Sequence, residues 1–390
     1  RIIEGALGAA PALDLLYTDH DHVAADGRLV DPVLKPGWSP SLRGHPQFRS
    51  RGWIARSSLF GGEVSAALAM SAGAPVHVKQ VGHLPVPLLS ASHPGPSAQI
   101  AATASAATPS VSVIIPTRIA DREMLARCLD GLRQRTDYPD LQIVVVLNNL
   151  AGIDMAEARG FLARWSVQVL HRDGAFNWSS LNNFAASHAD GELLLFLNDD
   201  VEPMRPDWLR AMVEVSSAPD VGAVGAVLHY PDGSIQHAGI YIDCRRELDS
   251  RHSFRHCAGD EPRLARWLRH ERTQTAVTGA CLLSRRSVFE EAGGFDEAFP
   301  LVFNDVDYCL RLQRRGRRSA VAAAAHLLHH EGFSRDGMSE AGDRARFCAR
   351  WQPSLPAVDP HSHPALDHQR DDWMIDLRAP PVVELRLFAS

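Results

Sequence analysis

The residues with most to offer chemically are two adjacent acids. Asp199 and Asp200 follow the apolar run 193–197 and a single Asn198. Carboxylates side by side repel one another unless a cation or hydrogen-bond donors neutralise them. Their hard oxygens suit Mn2+ or Mg2+, ions that share their shell with substrate phosphates. The plainer alternative is an Asx turn ahead of a helix near 206. A second set, Phe303-Asn304-Asp305-Val306-Asp307, opens a helical pattern over 305–315. Asn304 is expected at the N-cap, with the acids of the first turn facing the positive end of the dipole. Capping would account for both aspartates, but a carboxylate projecting from a helix start into a cleft can also act as a general base. The third set is His329-His330-Glu331, after an apolar run. Neighbours in extended chain point to opposite sides, so at most one histidine joins the aspartates at a metal. A surface histidine pair is the alternative. Pro116-Thr117-Arg118 ends a β-branched run, where a polar loop suits a nucleoside.

These residues need a frame that brings strand ends together, and the patterning between 110 and 230 supplies one. The continuous run 111–115 and the stretch 192–197 read as buried strands, 142–147 and 167–170 as further strands, and 221–228 as an apolar run. Helical stripes at 120–135, 154–164, 179–188 and 206–217 alternate with them. Such alternation predicts an α/β domain with a mostly parallel sheet flanked by helices, its ligands at the carboxyl ends of the strands. The loops just after 115, 147, 170 and 197 are therefore the ones to watch.

Composition narrows the chemistry further. The chain has 390 residues, 45% hydrophobic and 22% charged, with a net charge of -6, which argues against nucleic-acid binding. No apolar run approaches the ~20 residues of a membrane span. The six cysteines are scattered without a CxxC pair, as expected of a reducing, cytoplasmic setting. Lysine occurs at 35 and 79 alone, so no Walker, Schiff-base or kinase-type lysine serves the later chain. An N-terminal Arg predicts a piece of a longer polypeptide. A Ser/Ala/Pro-rich stretch at 90–109 reads as a linker and divides residues 1–89 from 110–355, with a tail at 356–390. An internal echo links 53–62 with 281–294, and 75–84 with 319–330, so 1–89 reads as the back half of a second copy. The tail shows no long periodic element and in its plainer reading is a disordered terminus, its His361, His363 and His368 binding metal at most adventitiously.

Seven blocks in order, VSVIIPTR (111–118), FNWSSLNN (176–183), LLLFLNDDVEP (193–203), VGAVGAVLHYPDGSIQHAG (221–239), TGACLLSRRSVFEEAGGFDE (278–297), FNDVDYCLRL (303–312) and LHHE (328–331), resemble the family 2 glycosyltransferases of GT-A fold. The resemblance is to the bacterial rhamnosyltransferase-like branch that builds O-antigen and cell-wall glycans. Residues 14–40 look like part of a preceding, truncated domain of the same family, expected to be non-catalytic. The resemblance implies inverting transfer of a sugar from a nucleotide-sugar donor to a hydroxyl of a glycan or lipid-linked glycan, with peripheral association at the cytoplasmic face of the inner membrane. It implies Asp305 as the base and Asp200 with His329 as ligands of Mn2+ or Mg2+, with His330 the fallback. Pro116, Thr117, Arg118, Asn148, Asn183 and Asp199 would bind the donor nucleotide. Thr278, Gly279, Ala280, Asn304 and Asp307 would line the donor-sugar and acceptor side. Relatives carry an acid at the place of Leu147, which is followed here by Asn148 and Asn149. Two other readings remain open: a glycan- or nucleotide-binding remnant without turnover, and a metal-dependent hydrolase using the same acids and histidine.

Overall fold

A computed structural model describes residues 2–23, 29–33, 35, 53–55, 80–91, 108–244, 248–261, 264, 267–331, 340–363, 365–367, 370–372 and 386–389. The chain forms two compact units. One comprises Arg1–Thr103 with Val358–Ser390, the other Ala104–Ala357. Most of the expected linker, parts of both repeat echoes and of 14–40, and His368 lie outside the described residues.

In the first unit, helix Ile2–Ala9 precedes strands β1 (Leu15–Val23), β2 (Leu29–Val33), β3 (Trp53–Ala55) and β4 (Gln80–Ala91). β1 runs parallel to β4 and antiparallel to β2 and β3. The tail joins this unit. Its strand β17 (Arg386–Ala389) pairs antiparallel with β4, and His363 Nε2 meets Asp19 Oδ2 at 2.7 Å. Asp19 is fully buried, with His83 Nε2 3.1 Å from Oδ1 and the Lys35 backbone N–H donating to Oδ1 at 2.9 Å. Asp19, His83 and His363 are close enough together to suggest a metal site. The hydrogen bonds argue otherwise. Ala365 N–H donates to His363 Nδ1 at 3.1 Å, so in the neutral ring Nε2 carries the proton and donates to Asp19. Burial pushes the Asp19 carboxyl up, but the two histidines outweigh it and hold Asp19 below the usual carboxylate range.

The second unit is built on a ten-stranded sheet. In chain order its strands are β5 (Val111–Thr117), β6 (Leu141–Leu147), β7 (Gln168–His171), β8 (Leu193–Leu197), β9 (Val201–Pro203), β10 (Val221–His229), β11 (Ile235–His237), β14 (Arg272–Gln274), β15 (Cys281–Arg285) and β16 (Arg318–His329). A separate hairpin pairs β12 (Ile240–Asp243) with β13 (Asp249–His252). The spatial order is β14-β16-β10-β15-β8-β5-β6-β7, with β11 on β10 and β9 on β16. β7, β6, β5 and β8 are mutually parallel, and β5 and β8 are buried along their whole length. Beyond β8 the sheet is mixed: β15 is antiparallel to β8 and β10, while β16 is parallel to β10. Helices Arg122–Gln134, Met155–Leu162, Trp178–Ala186 and Trp208–Ser216 fall within two residues of their expected limits. Asp121, Asp154 and Asn177 cap three of them through side-chain oxygens.

Helix Asn304–Gln313 begins differently from expectation. Its N-cap is Phe303, at φ 62°, and Asn304 is the first helical residue rather than the cap. The Asn304 Oδ1 accepts the neighbouring Asp305 N–H at 2.8 Å.

Candidate active site

Strand pairing brings the acidic and imidazole groups together. β16 runs antiparallel to β9 with His329 opposite Val201, and His330 N–H donates to the Asp200 carbonyl at 3.1 Å. His329 Nε2 consequently stands 3.2 Å from Asp200 Oδ1. That oxygen is buried and makes no hydrogen bond. The adjacent His330 turns to the other side, its Nε2 3.0 Å from Glu202 Oε1, and Arg135 holds the second Glu202 oxygen at 3.0 Å. His330 is therefore engaged elsewhere, and His329 is the imidazole that faces the acids.

Asp199 points toward the end of β5. Thr117 Oγ1 donates to its Oδ2 at 2.6 Å and accepts the Ile119 N–H at 2.9 Å. Burial, with the charge of Asp200 adding to it, pushes the Asp199 carboxyl up to about 6, against the Thr117 hydrogen bond. An unbonded buried carboxylate oxygen facing an imidazole nitrogen, beside a second carboxylate, is a donor set that fits a divalent cation.

Asp305 reaches the same region through β15. Ala280 O accepts the Asn198 N–H at 3.1 Å, which locks the start of β15 onto the end of β8. Two residues earlier, Thr278 Oγ1 accepts the Ala280 N–H at 3.3 Å. Between them Gly279 N–H donates to Asp305 Oδ2 at 2.7 Å. A Cβ on Gly279 would sit 2.9 Å from the Trp178 ring, so this position has no room for a side chain. Val306 N–H donates to Asp305 Oδ1 at 2.8 Å. Near the acids, His252 Nδ1 donates to the Gln236 carbonyl at 3.2 Å. The Gln236 side chain in turn meets His329 Nδ1 at 2.6 Å. Asp199, Asp200, His329, Thr278, Gly279, Ala280 and Asp305 thus form one contiguous set.

Several expected site residues do other work. Asp307 is fully buried and bonded to Arg311 Nε at 2.7 Å, Arg350 at 2.8 Å and Trp351 Nε1 at 2.9 Å, so it anchors helix Ala341–Trp351 instead of meeting substrate. Nor is Asn183 offered to a nucleotide. Its amide spans the Phe295 N–H at 2.9 Å and the Phe295 carbonyl at 2.8 Å, holding the turn after Gly294, itself at φ 69°. Pro116 is buried in β5. Arg118, half-buried, donates Nε to the Asn149 carbonyl at 3.3 Å. Asn148 ties the end of β6 to the Arg172 carbonyl at 2.8 Å, and its buried Oδ1 has no hydrogen-bond partner. Leu147 is in the core and offers nothing to a base.

Four non-glycine residues in the left-handed region flank these groups: Ile119, Asn149, Phe303 and Glu331. For β-branched Ile119 that conformation is strained, and such residues concentrate at functional sites. Picking acids and histidines near the apolar strand ends left out His252, on the hairpin, together with Gln236 and Trp178. Gln236 and Trp178 lie inside the quoted blocks GSIQHAG and FNWSS, but an amide and an indole carry no charge signal.

The parallel half-sheet, the mixed strands beyond it and the acids at their junction define an α/β protein of GT-A fold. A solved structure of GalNAc-T7 with UDP, GalNAc and Mn2+ matches at a TM-score of 0.51 and 15% identity, over 65% of this chain and 53% of that one. The family model described as glycosyltransferase like family 2 matches residues 109–354, and the chain belongs to that family. The O-antigen biosynthesis protein RfbC of Myxococcus xanthus is 33% identical over 92% of this chain and 32% of its own length. The N-acetylglucosaminyl-diphospho-decaprenol L-rhamnosyltransferase of Mycobacterium tuberculosis (strain ATCC 25618 / H37Rv) is 31% identical over 36% of this chain and 48% of its own. The chain thus spans about a third to a half of these relatives. Among the described residues no helix is long and apolar enough to cross a membrane.

Proposed function

We propose that the second unit moves a sugar, with inversion, from a nucleoside-diphosphate donor to a hydroxyl of a growing bacterial surface glycan. The observation that carries this reading is the unbonded Asp200 Oδ1 facing His329 Nε2 at 3.2 Å, in the unit that also positions Asp305. Asp200 and His329 would hold Mn2+ or Mg2+, and the ion would supply Lewis-acid stabilisation of the departing diphosphate. Asp199, fixed by Thr117, would contact the ribose or the ion. The Asn148 Oδ1 is a spare acceptor for a nucleobase N–H and would do part of the work of the acid absent at Leu147. Thr278, Gly279 and Ala280 would form the floor beneath the donor sugar, and Gly279 lets Asp305 approach it. Asp305, oriented by two backbone N–H groups, would accept the proton of the attacking hydroxyl. Single displacement needs no protein nucleophile, so the absence of lysine after residue 79 is no obstacle.

The similarity to RfbC, over 92% of this chain, and to a rhamnosyltransferase over part of it supports an O-antigen or rhamnose-containing glycan as the product. The first unit, included in the longer match, would be a non-catalytic companion. A lipid-linked acceptor would bring the protein to the cytoplasmic face of the membrane.

The test is transfer from a panel of nucleotide sugars to lipid-linked glycan acceptors, with Mn2+. Asp305→Asn is expected to lower the rate about 10²–10⁴-fold while nucleoside-diphosphate binding persists. Full rate in Asp305→Asn would remove that residue as base. Nucleotide binding with no turnover across the panel would favour the remnant, and acceptor-independent release of free sugar would favour a hydrolase.

A further inference from the structure

We infer that Gln236 is the positioning residue of the proposed metal site: its amide fixes the tautomer of His329 so that the Nε2 lone pair faces Asp200. This rests on the reading above and adds a residue and a mechanism to it.

The argument begins at Glu331. Its carboxylate receives the Tyr230 hydroxyl at 3.0 Å and the Arg255 guanidinium at 3.4 Å, and Arg255 Nε also donates to Tyr230 at 2.8 Å. A carboxylate held by two such donors presents acceptors only. Gln236, 3% exposed, stands 3.2 Å from the same Glu331 Oε2. The end of the amide that faces Glu331 must therefore be the NH2 group. Its oxygen then faces the other way, toward His329 Nδ1 at 2.6 Å. An amide oxygen cannot donate, so Nδ1 carries the proton. In the neutral ring Nε2 is then bare, and it lies 3.2 Å from Asp200 Oδ1. Two acceptors then stand close together, at a buried carboxylate oxygen that has no hydrogen-bond partner. Such a pairing is unfavourable alone and favourable around a cation. Metal-ligating histidines characteristically donate their other N–H to an outer acceptor, which fixes the ring and raises its basicity. Here that acceptor is a neutral amide, itself oriented by a Glu–Arg–Tyr set.

Gln236 also acts through its backbone. Its carbonyl accepts from His252 Nδ1 at 3.2 Å. One residue therefore touches two imidazoles, those of His329 and His252.

Mn2+ titration of the full chain, with a nucleoside diphosphate present, tests the role. Gln236→Leu is expected to weaken Mn2+ binding about 10–100-fold. Gln236→Glu alone would place two carboxylates together at Glu331. The exchange Gln236→Glu with Glu331→Gln restores one acceptor toward His329 and one donor behind it, and is expected to recover affinity. Unchanged affinity in Gln236→Leu, or no recovery in the exchanged pair, would overturn the assignment. Absence of Mn2+ binding by the unaltered chain would instead count against the proposed function. Should the variants fail to fold, 15N NMR of the unaltered, metal-free protein decides, with the His329 signals identified by their loss in His329→Ala. The Nδ1–H tautomer is expected, and the Nε2–H tautomer would contradict the inference.

Discussion

Thr117 shows how little of a site residue's role its position reveals. A threonine at the end of β5 suggests direct contact with a nucleoside, yet its hydroxyl is committed to Asp199 at 2.6 Å. Its contribution would come through the orientation of that carboxylate, which burial would otherwise leave poorly held. Hydrogen bonds to charged groups contribute about 1.5–3 kcal/mol. Thr117→Val, which keeps the shape and removes the donor, is expected to weaken binding of a nucleoside diphosphate with Mn2+ roughly 10–100-fold. Calorimetry against an unchanged circular-dichroism spectrum checks this, and equal affinity would mean that Asp199 needs no such support. Asn304 and Asp305 make the same point from opposite sides. Capping alone could explain acids at a helix start, but the cap is Phe303, and Asp305 spends its Oδ2 on Gly279 in another segment. That cross-link is what a simple capping role does not require.

Among the elements, helix Asn304–Gln313 is held by Asp307, whose type and place in the sequence suggest the site instead. Asp307 joins it to helix Ala341–Trp351 through Arg350 and Trp351, and to its own next turn through Arg311. Removing one partner of a buried ion pair costs about 3–5 kcal/mol, because the other charges lose their compensation. Asp307→Ala is therefore expected to destabilise the protein by about that amount in urea unfolding. A loss below 1 kcal/mol would show that the helices dock without it. The parallel strands β5, β6 and β8 were legible in the sequence because strands buried on both faces are written as largely apolar runs, while β7, a half-buried edge strand, showed through its valine and leucine. The short strands β9, β11 and β14 were not, since three residues carry no period. Yet β9 is what sets His329 beside Asp200. The acids and histidines could be picked out by type and order. Gln236 could not, because its importance lies in which way an amide faces between two partners far apart in sequence. Asn183 and Asp307 misled for the converse reason: a polar residue near a site can be consumed by the scaffold.

For the molecule as a whole, buried histidines set the pH response of stability. His237 is fully buried, stacked edge-on at 4.9 Å with His252, and burial pushes both below the ordinary histidine value. The unfolded chain takes up protons below about pH 6.5, while these folded histidines resist them. Stability is thus fully present above that pH and lost as pH falls through it, by up to about 1.4 kcal/mol per unit for each histidine held neutral. Thermal unfolding at pH 7.5, 6.5 and 5.5 should show a falling midpoint, less steep in His237→Gln. A midpoint that rises toward pH 5.5 would reverse the sign. The central claim concerns one place, where β8, β9 and β16 bring an acid and an imidazole face to face. Anomalous diffraction at the manganese edge, from crystals grown with a nucleoside diphosphate and Mn2+, addresses it most directly. A peak between Asp200 and His329, touching the diphosphate and near Asp305, is the expected result. A nucleotide bound with its manganese held by other residues would contradict the account.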